Sequence, residues 1–171
     1  MKLYKNFYRE AKGDLPRIYC DMDGVICDFV LAAKRATGQN WLGLRSGQDW
    51  ESIKRVKNFW STMPWTGDGR RLWNFIKKYQ PHILSAYSIE DPNCIPGKRK
   101  WLKSNLGYTQ NSMINIVRRR EKRNFAMDGR RPAILIDDYP KNISDFKSAG
   151  GIGIIHSNTQ TTISQLKRFG F

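Results

Sequence analysis

The stretch that decides the fold is Arg17-Ile18-Tyr19-Cys20-Asp21-Met22-Asp23-Gly24-Val25. Residues 17–21 read as a short buried strand that ends in a carboxylate, with a second carboxylate two residues on. A stretch of the same design lies far downstream: Ala133-Ile134-Leu135-Ile136 leads straight into Asp137-Asp138. Between and around them, short apolar runs alternate with helical patterns. Residues 28–38 read as a helix closed by Gly38, and 48–60 as a helix within a Trp-rich, irregular segment. In 68–79, Leu72, Phe75, Ile76 and Tyr79 fall at helical spacing and Asp68 is placed to cap the helix. Strands are expected at 82–86, 113–117, 133–137 and 151–156, and helices at 98–107, 143–150 and 161–169. Alternation of this kind implies an α/β fold, a parallel sheet flanked by helices. The expected layout is a single domain over residues 1–171, with 39–67 as a small, mainly helical cap insertion. In such sheets ligands sit at the carboxyl ends of the strands.

Composition sets the limits around that fold. The chain has 171 residues, 40% hydrophobic, 26% charged and 12% aromatic, with six Trp. That suffices for one domain with a real core and excludes a disordered chain. No run reaches the roughly 18 apolar residues of a membrane span. The N-terminal stretch 1–14 has no apolar leader core, so a cytoplasmic chain is expected. Three cysteines, Cys20, Cys27 and Cys94, have no metal-ligand spacing and read as packing residues. The net charge of +15 is far outside the magnitude of about 2–8 usual for a small domain. Residues 98–131 hold eleven Lys/Arg against Glu121 and Asp128. Such a field attracts polyanions, nucleic acid and nucleotides among them, though a solvated basic face is the plainer reading.

The two acidic pairs converge on one edge of the expected sheet. Converging carboxylates raise each other's pKa unless a cation sits among them. Oxygen ligands without His or Cys suit a hard ion, and Mg²⁺ is the natural candidate. A calcium loop fails, because Ala32 stands where the twelfth-position Glu belongs. The plainer alternative makes these acids strand-end caps or turn formers. His82 and His156 lie inside apolar runs and read as core residues.

Tyr19-Cys20-Asp21-Met22-Asp23-Gly24-Val25 resembles the first motif of the haloacid-dehalogenase-like (HAD) phosphohydrolases, a Rossmann-like α/β family. Ser85 in residues 83–86 resembles the second motif, Lys98 in 97–107 the third, and Ile136-Asp137-Asp138 with Asn142 the fourth. The match runs over about residues 17–156. Closer still is a resemblance to the small 5′(3′)-deoxyribonucleotidases and their phage and bacterial relatives. It rests on Phe59-Trp60, Pro64-Trp65, Asp68-Gly69, Leu72-Trp73, Ser85, Lys98 three before Trp101, and Asp137-Asp138. The insertion looks shorter than in those enzymes, and the basic stretch before the last motif longer.

The resemblance implies a Mg²⁺-dependent phosphomonoesterase with Asp21 as nucleophile, forming an aspartyl-phosphate. Asp23 would act as general acid and base and lend its backbone carbonyl to the metal. Asp21 and Asp138 would supply metal carboxylates, with Asp137 and Asn142 close behind. Ser85 would bond a phosphoryl oxygen and Lys98 offset its charge. Trp60 and Trp65 are the first candidates to stack on a nucleobase, against a packing role. Arg118, Arg120 and Lys122, in the basic run that follows an expected strand, would clamp a phosphate-rich substrate or else line a solvated loop. The leading substrate is a nucleoside (deoxy)monophosphate. The alternatives are a phosphatase of nucleic-acid 3′- or 5′-phosphate ends, and a nucleic-acid-binding protein on a phosphatase scaffold.

Overall fold

The computed structural model describes residues 15–41 and 50–171. The N-terminal stretch 1–14 and the first part of the expected 48–60 helix lie outside the described residues, as does the middle of the expected insertion.

In chain order the strands are β1 (Ile18–Cys20), β2 (His82–Ala86), β3 (Ile114–Val117), β4 (Met127–Asp128), β5 (Arg131–Pro132), β6 (Ile134–Asp137) and β7 (Ile152–Ile155). The helices are α1 (Phe29–Thr37), α2 (Trp50–Arg55), α3 (Gly69–Ile76), α4 (Cys94–Leu106), α5 (Pro140–Ser148) and α6 (Thr159–Arg168). Short 3₁₀ segments cover Phe59–Ser61 and Arg119–Phe125. Five strands form one parallel sheet in the order β3-β2-β1-β6-β7, while β4 and β5 pair as a separate antiparallel ribbon. The chain leaves β1 for β2 and β3 on one side, then returns to β6 and β7 on the other. The switch point is therefore between β1 and β6, where their carboxyl ends part.

The strands are rich in Ile because both faces of the sheet are covered. Alternate residues serve opposite faces. Ile18, Cys20, Ile83, Ile134 and Ile136 join a large core with α1, α3, α4 and α6, while Tyr19, Leu84 and Leu135 meet Ile143 and Phe146 of α5 on the other side. Among the described residues no helix is long and apolar enough to cross a membrane.

Several boundaries differ from the sequence reading. The expected 48–60 helix stops at Arg55, because Asn58 takes a left-handed conformation (φ 63°) and starts a 3₁₀ turn instead. Helix α4 begins at Cys94, with Pro96 in its first turn, where its missing N–H costs nothing. Helix α5 begins at Pro140 for the same reason. Asp68 stands before α3, but its carboxylate accepts the Thr159 N–H at 2.7 Å and so ties α3 to the start of α6 rather than capping its own helix. Asp28 and Gly38 bound α1 as anticipated: Asp28 accepts the Leu31 N–H at 2.9 Å, and Gly38 sits at φ 71°.

The Trp-rich segment packs inward. Phe29, Trp41, Trp50, Phe59 and Trp60 touch ring to ring, with Phe29 stacked on Trp60 at 5.6 Å. Gly97 lets α4 lie against this cluster, since a Cβ there would come 2.5 Å from the Trp60 Cβ. The Trp60 indole is 3% exposed and donates to Asp91 Oδ2 at 2.7 Å. Trp60→Phe is expected to strip a buried carboxylate of that donor and destabilise the fold by about 1–3 kcal/mol, measured by urea unfolding. A change under a few tenths would show the bond to be incidental.

Candidate active site

The site grows from the register of β1 and β6. Cys20 pairs with Ile136, and the Asp21 N–H donates to the Ile136 carbonyl at 2.9 Å. That ladder carries Asp21 out beside Asp137. Asp21, Asp137 and Asp138 present carboxylate oxygens within 4.8 Å of one another. Past Asp21 the chain turns tightly, with the N–H groups of Ile26 and Cys27 both donating to the Met22 carbonyl. Gly24 makes room for the second acidic pair. It sits at φ 74°, and a Cβ there would lie 2.0 Å from Asp138 Oδ2. Gly24→Ala should therefore displace the Asp138 carboxylate.

Two buried lysines pair with three of the four carboxylates, Asp21, Asp23 and Asp137. Lys122 Nζ lies 2.9 Å from Asp21 Oδ2 and 2.7 Å from Asp137 Oδ2. Asp137 is saturated: Asn142 Nδ2 donates to both its oxygens, and the Tyr139 N–H to Oδ1. Lys98 Nζ donates to Asp23 Oδ2 at 2.6 Å, Ser85 Oγ at 2.9 Å and the Ala86 carbonyl at 2.7 Å. Those bonds use all three of its donors. Asp23 Oδ1 is buried with no partner.

The electrostatics follow from burial and crowding. Burial, then the charges of Asp21 and Asp137, push Asp138 up to about 7. Burial and Asp21 push Asp137 up to about 6 although Lys122 opposes them. Burial raises Asp23 as well, against the pull of Lys98. Burial alone would lower the two lysines, but their carboxylate partners outweigh it and leave both above the usual lysine value. Four carboxylates against two ammoniums leave the ionised cluster two negative charges in excess. A divalent cation cancels that excess. The donors are oxygen only, because burial holds the neighbouring Cys20 and Cys27 thiols protonated. The residues present thus fit a hard divalent ion.

A raised carboxylate makes the fold less stable as pH rises from the unfolded value near 3.8 to the folded one near 7, because the unfolded chain sheds its proton first. With divalent ions chelated, thermal melts of Asp138→Asn should thus gain on wild type as pH rises from about 4 to 7. The difference between the two proteins is the measure. His82 and His156, both lowered by burial, destabilise the fold in the opposite direction below about 6.5 and cancel from it. A pH-independent difference would put Asp138 in an ordinary environment.

Other residues fall elsewhere than the sequence suggested. Lys122 is no substrate-facing loop residue. It is 1% exposed and belongs to the carboxylate cluster. Trp60 is core, as above. Trp65 is held between Trp101 at 4.9 Å and the Arg70 guanidinium at 4.6 Å, with its Nε1 donating to Asn105, so it too has a packing role. The Asp23 carboxylate sits with Lys98 and Ser85, outside the group formed by Asp21, Asp137 and Asp138. Arg118 and Arg120 are exposed, and Arg118 Nε donates to the Tyr87 hydroxyl at 3.2 Å. Arg119, in the same basic run, reaches Asn142 Oδ1 at 3.4 Å and Asp145 at 3.3 Å.

No protein-family model matches the chain, and no curated protein matches it. Among solved structures, the crystal structure of a hydrolase from Streptococcus pneumoniae TIGR4 is similar. The TM-score is 0.54 at 10% sequence identity, over 90% of this chain and 98% of that one. The two share a fold. At that identity the likeness is one of architecture, and the chemistry rests on the residues just described.

Proposed function

We propose that the protein is a Mg²⁺-dependent phosphomonoesterase of the HAD type, acting on nucleoside monophosphates. The observation that carries the proposal is the split of charges at the switch point. Asp21 and Asp138 lie together on one side, and Asp23 with Lys98 and Ser85 on the other. A phosphoryl group between them would meet a nucleophile, a proton donor and a cationic cradle at once.

In this scheme an Asp21 oxygen attacks phosphorus and the P–O ester bond breaks. Asp23, inclined by burial to hold a proton, gives it to the departing oxygen. Asp23 then takes a proton from water, which attacks the aspartyl-phosphate, releases phosphate and restores Asp21. Ser85 bonds a phosphoryl oxygen, and Lys98, its three donors already committed, offsets the phosphoryl charge. Lys122, fixed by Asp137, orients the Asp21 carboxylate. Mg²⁺, held by Asp21 and Asp138 with Asp137 and Asn142 behind them, would screen nucleophile and phosphate from each other. With Trp60 and Trp65 committed to packing, the exposed Tyr139 is a candidate to stack on a base. It is 50% exposed and directly follows Asp138.

The test is phosphate release with Mg²⁺ from ribo- and deoxynucleoside 5′- and 3′-monophosphates. Turnover of at least one is expected, and none at all would sink the proposal. Mg²⁺ should also raise the melting temperature of wild type and leave that of Asp138→Asn nearly unmoved. An equal rise in both would place the ion elsewhere.

A further inference from the structure

The basic run 118–123 is only partly absorbed by this site. A 3₁₀ segment repeats every three residues, so residues three apart eclipse. Along Arg119–Phe125 this sorts the side chains into rows. Arg119, Lys122 and Phe125 form the inner row, against Asn142 and Asp145, against Asp21 and Asp137, and against the second core. Glu121 belongs to a second row and accepts the Arg118 N–H at 2.9 Å, which closes the start of the segment. Arg120 and Arg123 form the third row. Both are exposed, and no carboxylate of the described residues pairs with either. Arg118 is exposed too; its side chain donates to the Tyr87 hydroxyl and lies within electrostatic reach of Glu121.

Arg120 and Arg123 therefore stand without a carboxylate partner among the described residues, beside the exposed Arg118, on the outer side of a segment whose inner side reaches the carboxylates. The phosphate to be cleaved has no need of them, because Lys98, Ser85 and the cation serve it. Extra arginine forks call for extra phosphates. We propose that Arg118, Arg120 and Arg123 form a track for the phosphodiester backbone of a single-stranded nucleic acid, whose terminal phosphate enters the site. The substrate class would then be the phosphorylated end of a strand, with free mononucleotides turned over less well. This deepens the phosphatase reading and rests on it for the terminal phosphate, though the track can be tested alone.

The test pairs turnover with binding. The first arm measures kcat/KM for a 3′- and a 5′-phosphorylated hexadeoxynucleotide, the matching mononucleotides and a nucleoside 3′,5′-bisphosphate, over a range of salt. The second arm measures fluorescence-anisotropy binding of the same hexamers to Asp21→Asn. Each arm is repeated with Arg120→Ser/Arg123→Ser added, and with Lys77→Ser/Lys78→Ser, at the far end of α3, as control. Expected is a hexamer preference in wild type of tenfold or more. The salt slope of hexamer binding should fall by about 1.4 when two contacts at about 0.7 each are removed. The control should keep both the preference and the slope. A hexamer handled no better than its mononucleotide overturns the track, as does an arginine effect confined to the bisphosphate or matched by the lysine control. Absence of phosphate release from every compound would defeat the phosphatase reading, while the binding arm would still decide the track.

Discussion

Asp21→Asn is expected to lose about four orders of magnitude or more in phosphate release, with the fold kept and the substrate still bound. The size follows from what the residue does. A nucleophile that acts as one unit with its acid and its cation takes nearly the whole catalytic gain with it. The fold should survive because the amide is the same size and its oxygen can still accept the Met22 N–H, as Asp21 Oδ1 does at 2.7 Å. What disappears is the negative charge facing Lys122 and the cation. Circular dichroism and a melt establish folding, phosphate release gives the loss, and anisotropy with a labelled strand or nucleotide gives binding. Asp23→Asn should lose less only where the leaving group has a low pKa and needs little protonation. An aryl phosphate should therefore recover part of the Asp23→Asn loss and none of the Asp21→Asn loss. Retained turnover in Asp21→Asn would remove the covalent intermediate from the proposal. Equal recovery of both variants would remove the division of roles.

The sheet was legible because strand and acid came as units. Residues 82–86 read as a strand and form β2 with those bounds, since an apolar run bounded by turn residues has few other places to go. The meeting of Asp21 with Asp137 and Asp138 was legible for the same reason: the acids follow buried strands, and parallel strands put their carboxyl ends on one edge, whereas the turn after Asp21 carries Asp23 to Lys98. Lys122 was not legible. In Arg118-Arg119-Arg120-Glu121-Lys122-Arg123 five of the six residues are cations, and only the three-residue period of the 3₁₀ segment decides which one turns inward. That period emerges only once β3 and α5 are in place to pack against. Trp60 misled for a related reason. Its neighbourhood in sequence suggests a site, but its indole N–H had a partner in Asp91, thirty-one residues on. The β4–β5 ribbon has two residues a side, too short for any alternation to show.

Lys122→Met should destabilise the protein by about 3–5 kcal/mol at neutral pH with divalent ions chelated, the usual result of removing one partner from a buried ion pair. Against a total stability of about 5–15 kcal/mol that is a large share. Methionine is of similar length, so little of the loss comes from a cavity. The cost is the charge left behind on Asp21 and Asp137, which the lysine meets at 2.9 and 2.7 Å. The pH dependence gives the check. Burial already holds Asp137 up at about 6 with the lysine present. Without Lys122 its folded value rises further, so the penalty is full above that value and disappears as pH falls through it, when the native state takes up the proton. The gap in melting temperature between variant and wild type should thus close on acidification, starting from a higher pH than 6. Mg²⁺ should close it from the other direction, by restoring positive charge to the cluster. Asp137→Asn added to Lys122→Met should recover stability, because one of the two stranded charges is then gone, and the double change should cost less than the sum of the single ones. A gap that ignored pH, Mg²⁺ and the second substitution would mean that Lys122 holds the site by packing alone, and its charge could then not be what fixes Asp21 for attack.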